Sequence, residues 1–254
     1  MKFLIMTTVL LNTLLFAVSG EEVFKAKCAS CHQYYIPQNK IIANAEHNNT
    51  DLNLTAPTLT EMSFMLKDQV GDRKTDAEGQ KFQIEDWLTG YLADPSKEKG
   101  VISKKFTRFF GKMPSMKGQL NEDDIEALAD FMYEYAEKMM RRHGVRRYSY
   151  DAAKQIAKKE GKIILIEGYI PYCRWCMRMD REVMVEPEVK AALNKKFVLV
   201  KMNLLTQKLP LGMKRLGTPS FYFIGSDGKT VIDTVEGFGN KEEFLDLLKS
   251  IEAH

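Results

Sequence analysis

Apolar and polar positions recur along this 254-residue chain with two different periods, and the change falls just past its middle. In the first part the spacing is helical. KFQIEDWLTGYLADP sets Phe82, Trp87, Leu88, Tyr91 and Leu92 on helical turns, and Pro95 ends the run. NEDDIEALADFMYEYAEKMM opens with Asn121 as a cap and three acids in its first turn. Its Ile125, Leu128, Ala129, Met132 and Tyr133 form one apolar face. Polar runs between residues 33 and 81, such as NAEHNNTDLN, read as loop.

RRHGVRRYSY, 141–150, is short, basic and interrupted by Gly144, and reads as a solvated boundary segment. After it the pattern alternates. An amphipathic helix (DAAKQIAKKEGK) precedes an apolar strand (IILIEGY), and WCMRMDREVM and EPEVKAALNKK read as helices. FVLVKMNL is a second buried strand, GTPSFYFIG and TVIDTVEG form a hairpin about SDGK, and NKEEFLDLLKSIEAH closes as a helix. The expected fold is two domains: an all-α domain over 21–140 and an α/β domain over 149–254, its mixed sheet flanked by helices, with a basic linker at 141–148.

The N-terminus changes the setting. Lys2, an apolar run from Phe3 to Val18 and the small residues Ala17–Gly20 have the layout of a signal peptide over 1–20, implying export to a periplasm. The run is short for a bilayer span of about 20 apolar residues, so a membrane anchor is expected only if the segment stays uncleaved. Charge also divides the chain: 15 Lys and Arg against 20 Asp and Glu over 21–140, but 21 against 14 over 141–254. Either the halves attract one another, the Arg141–Arg147 cluster docking on the acidic half, or they face different partners. Neither has the basic density of a nucleic-acid binder.

The chain's 4 cysteines form two CxxC pairs. The first is CASCH, 28–32. Two thiols one helical turn apart can add to the two vinyl groups of a haem, and the adjoining histidine can ligate its iron. A zinc ribbon would need another CxxC roughly 15–20 residues on, which is missing; a local disulfide stays open. FKAKCASCH, APTL, WLTGYLADP and FFGKMPSMKGQLNEDDIEALADFMYEY resemble, in order, the successive motifs of class I monohaem cytochromes c. The resemblance covers 21–140 and implies one covalent haem c on Cys28 and Cys31, with His32 and Met113 as axial ligands to its iron. It also implies that the Pro57 loop offers a backbone carbonyl to His32. Met116 is expected in the core, and His47 and His143 at the surface. Extra residues at 33–56 and 96–112 depart from the family pattern.

In the second pair, CRWC at 173–176, a strand runs into CxxC and CxxC opens a helix. Cys173 then stands at a helix N-terminus beside Arg174, which favours its thiolate, and Cys176 is placed to resolve a mixed disulfide. A structural disulfide is the bland alternative. The layout, together with GTPS and Glu167, resembles the thioredoxin family, above all its exported thiol–disulfide relay members. The resemblance implies an α/β thioredoxin fold after the cytochrome c fold, Pro219 as a cis-proline facing the sulfurs, and Glu167 as a buried acid exchanging a proton with Cys176. A strand-end surface acid is the other reading of Glu167. The function implied is thiol–disulfide exchange with a periplasmic thiol or disulfide protein, coupled to one-electron transfer through the covalent haem, with an acceptor or donor cytochrome as a further partner. A non-enzymatic electron carrier that docks a partner, and a haem–thiol chaperone, are the alternatives.

Overall fold

A computed structural model of the chain describes residues 18–74 and 76–253; of the expected signal peptide only 18–20 fall among them. The helical domain contains α1 (Gly20–Lys27), α2 (Gln38–Glu46), α3 (Leu59–Gln69), α4 (Ala77–Ala93), the short α5 (Lys104–Thr107) and α6 (Glu122–His143). Its start lies earlier than the boundary drawn at residue 20. Ser19 and Glu22 form a capping box on α1, and Gly20 is buried against α6, where a Cβ would come within 1.9 Å of the Ala127 carbonyl oxygen. Only glycine lets α1 approach α6 this closely.

Between 33 and 81 the chain is not simply loop. Helix α3 begins with a second capping box, Thr58 with Glu61, and buries Leu59, Phe64 and Leu66. Its polar residues are buried with partners, which hid the helix in the polarity pattern. Ser63 Oγ donates to the Met132 carbonyl and accepts from Ala136 N–H at 2.9 Å, and Lys67 meets Glu137 at 2.6 Å. The loop reading does hold for Asn48, Asn49 and Asn53, which take positive φ, a conformation asparagine tolerates.

The second domain contains β1 (Arg147–Tyr148), α7 (Tyr150–Glu160), β2 (Ile163–Tyr169), α8 (Arg174–Arg178) running into a π-helical turn (Met179–Val183), α9 (Pro187–Lys196), β3 (Phe197–Asn203), β4 (Ser220–Ile224), β5 (Val231–Glu236) and α10 (Lys241–Glu252). The strand order is β1-β3-β2-β4-β5, with β1, β3 and β2 parallel and β4 and β5 antiparallel. Alternation along β2 sends Ile164 and Ile166 towards Ala153 and Ala157 of α7. Leu165 faces the other way, towards a core shared by Met179, Phe221, Phe244 and Leu248. Both faces are covered, so β2 is buried over its middle five residues.

The segment 141–148 is not a solvated linker. Helix α6 continues to His143, Val145 is buried in the α/β core, and Arg147 and Tyr148 pair in register with Leu199 and Val200. Arg147 turns into its own domain and does not dock on the acidic half; Arg141 pairs with Glu137 of its own helix at 3.7 Å. An arginine run looks solvated in sequence, yet one of its members finds the buried Glu167 and the partly buried Asp180.

Substituting Gly20→Ala should destabilise the helical domain by about 1–3 kcal/mol, because the added methyl meets backbone that cannot rotate aside. Urea unfolding should show a lower midpoint with an unchanged slope.

Candidate functional site

The first cysteine pair closes α1. Cys28 N–H donates to Phe24 O at 2.8 Å, and His32 N–H to Cys28 O at 3.0 Å, so CASCH is wound as a tight turn. Cys28 and Cys31 are unpaired thiols. His32 is buried and its Nδ1 lies 2.8 Å from the Pro57 carbonyl oxygen. A carbonyl only accepts, so Nδ1 carries the proton and Nε2 keeps its lone pair. Burial lowers the His32 pKa against the opposing pull of that hydrogen bond, which favours the neutral ring.

Cys28, Cys31, His32, Pro57, Met113 and Met116 all line one cavity of about 420 Å³, walled by Leu66, Trp87, Leu88, Leu92 and Leu128. Lys97, Ile102, Phe110 and Lys112 place the extra residues of 96–112 in its lining. Met116 is buried in the core, and Met113 is only partly covered. A cytochrome c domain implies a haem, and this donor set fits one: two thiols, an imidazole nitrogen and a thioether around an apolar cleft. Burial, reinforced by Cys31, pushes the Cys28 thiol up to about 11. His47 is on the surface, paired with Asp51 at 2.7 Å, and the His143 ring stacks on Tyr35.

In the other domain Cys173 and Cys176 form a disulfide at the start of α8. Cys176 N–H donates to Cys173 Sγ at 3.0 Å; both sulfur residues are buried, Cys173 at 7% exposure and Cys176 at 2%. The Thr218–Pro219 bond is cis. Ser220 is in register with Gly168, so Pro219 stands beside the end of β2, where the chain turns towards Cys173.

Glu167 is fully buried, not a surface acid. Its carboxylate lies 3.1 Å from Lys201 Nζ and 3.5 Å from Arg147, and both cations also bind Asp180. Burial works against the Lys201 charge, but Asp180 and Glu167 outweigh it and raise its pKa. The four groups balance in charge on the sheet face that carries the CxxC helix. Sequence reasoning missed three of them. Asp180 lies one helical turn beyond Cys176, and Lys201 is the lone charge in a buried strand; those were the available signals.

Helix α3 joins the two sites. Its Met62 and Leu66 line the cavity, while Phe64, Met65 and Asp68 meet the second domain. Arg174, inside CRWC, donates Nε to Asp68 Oδ1 at 2.6 Å. The Arg181 guanidinium lies 5.3 Å from the Phe64 ring centre, and Met177 and Val185 pack on the helical domain's core.

Residues 17–132 match the family described as cytochrome C oxidase, cbb3-type, subunit III, and residues 146–226 match a thioredoxin-like family. An uncharacterized protein of Aquifex aeolicus (strain VF5) is 27% identical over 132 residues, 49% of this chain and 82% of that protein. The thiol:disulfide interchange protein DsbD of Tatumella citrea is 26% identical over 109 residues; these are 41% of this chain but only 19% of that protein. A thioredoxin from Thermus thermophilus superposes with a TM-score of 0.37 at 23% identity, over 42% of this chain and 87% of its own.

In chain made without haem, Cys28 should be alkylated by iodoacetamide at pH 8 about a hundredfold more slowly than an unhindered thiol, as a pKa near 11 requires. Peptide-resolved mass spectrometry checks this, and equal rates would mean that water reaches the thiol freely.

Proposed function

Because the chain joins a cytochrome c domain to a thioredoxin-like domain, we propose that it is an exported, periplasmic thiol–disulfide oxidoreductase whose dithiol exchanges electrons with a covalently held haem c. The observation that carries this reading is the shared helix: α3 lines the cavity with Met62 and Leu66 and binds the CxxC helix through Asp68. Cys28 and Cys31 would hold the single haem as thioethers, with His32 and Met113 on its iron and the Pro57 carbonyl fixing the His32 ring. Bound there, the haem supplies a one-electron centre that a partner cytochrome can address.

The chain's own residues carry the two-electron chemistry. A substrate thiolate attacks Cys173 Sγ, the Cys173–Cys176 bond breaks, and Cys176 leaves as a thiolate. A second substrate thiolate then attacks the mixed disulfide and releases Cys173. The substrate gains one disulfide, the domain gains a dithiol, and two protons are redistributed. Glu167 is the acid proposed to exchange a proton with Cys176, held by Lys201 and Arg147. Pro219 presents backbone to the substrate beside the sulfurs. CxxC couples span about −270 to −120 mV and His/Met ligation raises a haem's potential, so the domain acts as a net thiol oxidant.

The holoprotein should oxidise a dithiol peptide stoichiometrically, and Cys173→Ser should lower the rate by at least about a thousandfold. In the reverse direction, where Cys173 attacks a substrate disulfide and Cys176 resolves the mixed disulfide, Glu167→Gln should slow resolution more than initial attack, by about ten- to a hundredfold, in the lower range of acid–base effects. Haem should stay with the chain on denaturation, and Met113→Ala should remove the Met–iron absorption band. Undiminished peptide oxidation by Cys173→Ser would overturn the assignment of the dithiol, and release of haem in denaturant would overturn covalent attachment.

A further inference from the structure

Arg174 stands between the two cysteines of CRWC, where a free guanidinium would favour the Cys173 thiolate. It is not free. Its Nε donates to Asp68 Oδ1 at 2.6 Å and one terminal nitrogen reaches the Asp68 carbonyl oxygen at 3.4 Å. The position of Asp68 is itself built. Arg73 donates to the same Oδ1 at 3.1 Å, and the Gln69 amide donates to Oδ2. The Asp68 side chain is 15% exposed and that of Arg174 46%. A carboxylate of the helical domain therefore binds the charge closest in sequence to the nucleophile of the other domain.

We infer that Asp68 is a positioning residue for the thiol chemistry: by holding Arg174 it sets how readily Cys173 acts as a nucleophile. This rests on the proposal that Cys173 is the sulfur that exchanges with substrate, leaving as a thiolate in one direction and attacking as one in the other. The other charged groups packed about this helix are the Glu167, Lys201, Arg147 and Asp180 set, Arg73 on Asp68, and Arg181, which pairs with Glu182 and lies over Phe64 of α3. Arg178 pairs with Glu182 at 2.9 Å and lies against Trp175 and Phe238. Those groups keep their own partners when Asp68 is neutralised, except Arg73, whose freed charge adds in the same direction. Because Arg174 is half exposed, water screens the effect to the low end of the range for neighbouring charges.

The test uses the full-length holoprotein, its CxxC pair reduced and desalted without oxygen. Alkylation of Cys173 by iodoacetamide is followed from pH 5 to 9 with peptide-resolved mass spectrometry. Asp68→Asn should move the profile to lower pH and speed alkylation near neutrality by about threefold. Asp68→Glu, which keeps the carboxylate, should return it to the wild-type profile. In an Arg174→Gln background, Asp68→Asn should shift the profile less than in the wild type, by the freed Arg73 charge alone. The inference is overturned if Asp68→Asn leaves the profile in place, or if Asp68→Asn and Asp68→Glu shift it alike through disturbance of α3. It is also overturned if the shift survives in full without Arg174. Alkylation needs neither substrate nor haem turnover, so a failure of dithiol–haem coupling would leave these rates unchanged. Failure of the Cys173 assignment would show instead as faster alkylation of Cys176.

Discussion

The packing of α3 on three sides at once is the constraint on which the arrangement of both sites depends. Successive residues of a helix point about 100° apart. Met62 and Leu66 therefore share the side towards the cavity, Ser63 and Lys67 the side towards α6, and Phe64 and Asp68 the side towards the CxxC helix. Ser63 fixes the helix to α6 through both its donor and its acceptor. Helix α1, which ends in CASCH, crosses the same α6 at Gly20. The CASCH cysteines and the docking surface of the disulfide domain are thus both referred to α6, and a shift of α3 would be felt in both sites.

Buried charge ties the junction between domains to the second site. Removing one member of a buried ion set leaves an uncompensated charge in low dielectric, a larger cost than the set's own net contribution. Arg147 belongs to such a set and lies only four residues beyond the end of α6. The chain leaves the helical domain, buries Val145, and commits an arginine to Glu167 and Asp180 before its first strand is complete. The boundary between domains is therefore a structural element of the dithiol site.

Much of this was legible in the sequence because it depends on local pattern. The periods of 3.6 and 2 marked α4, α6, α7, β2, β3 and the hairpin. The two CxxC pairs differ in their immediate neighbours, a histidine directly after one and a helix opening at the other, and the structure leaves the first pair free and closes the second as a disulfide. The features that stayed hidden depend on partners distant in the chain. Helix α3 reads as polar because Thr60, Ser63 and Lys67 are satisfied by groups that folding brings to them. Arg147 reads as solvated because its carboxylates lie 20 and 33 residues away. The Arg174–Asp68 contact spans 106 residues and joins two domains, so no periodicity could point to it.

The central claim is that one chain passes electrons between its dithiol and its haem, although a dithiol gives up two and one haem takes one. The direct measurement is anaerobic stopped-flow absorbance of the holoprotein, with the CxxC pair reduced, the haem ferric and an acceptor cytochrome present to take electrons in turn. The account requires haem reduction in the wild-type protein that disappears in the Cys173→Ser variant. Reduction that survives this substitution, or none in the wild type, would mean that the two domains are only tethered and would contradict it.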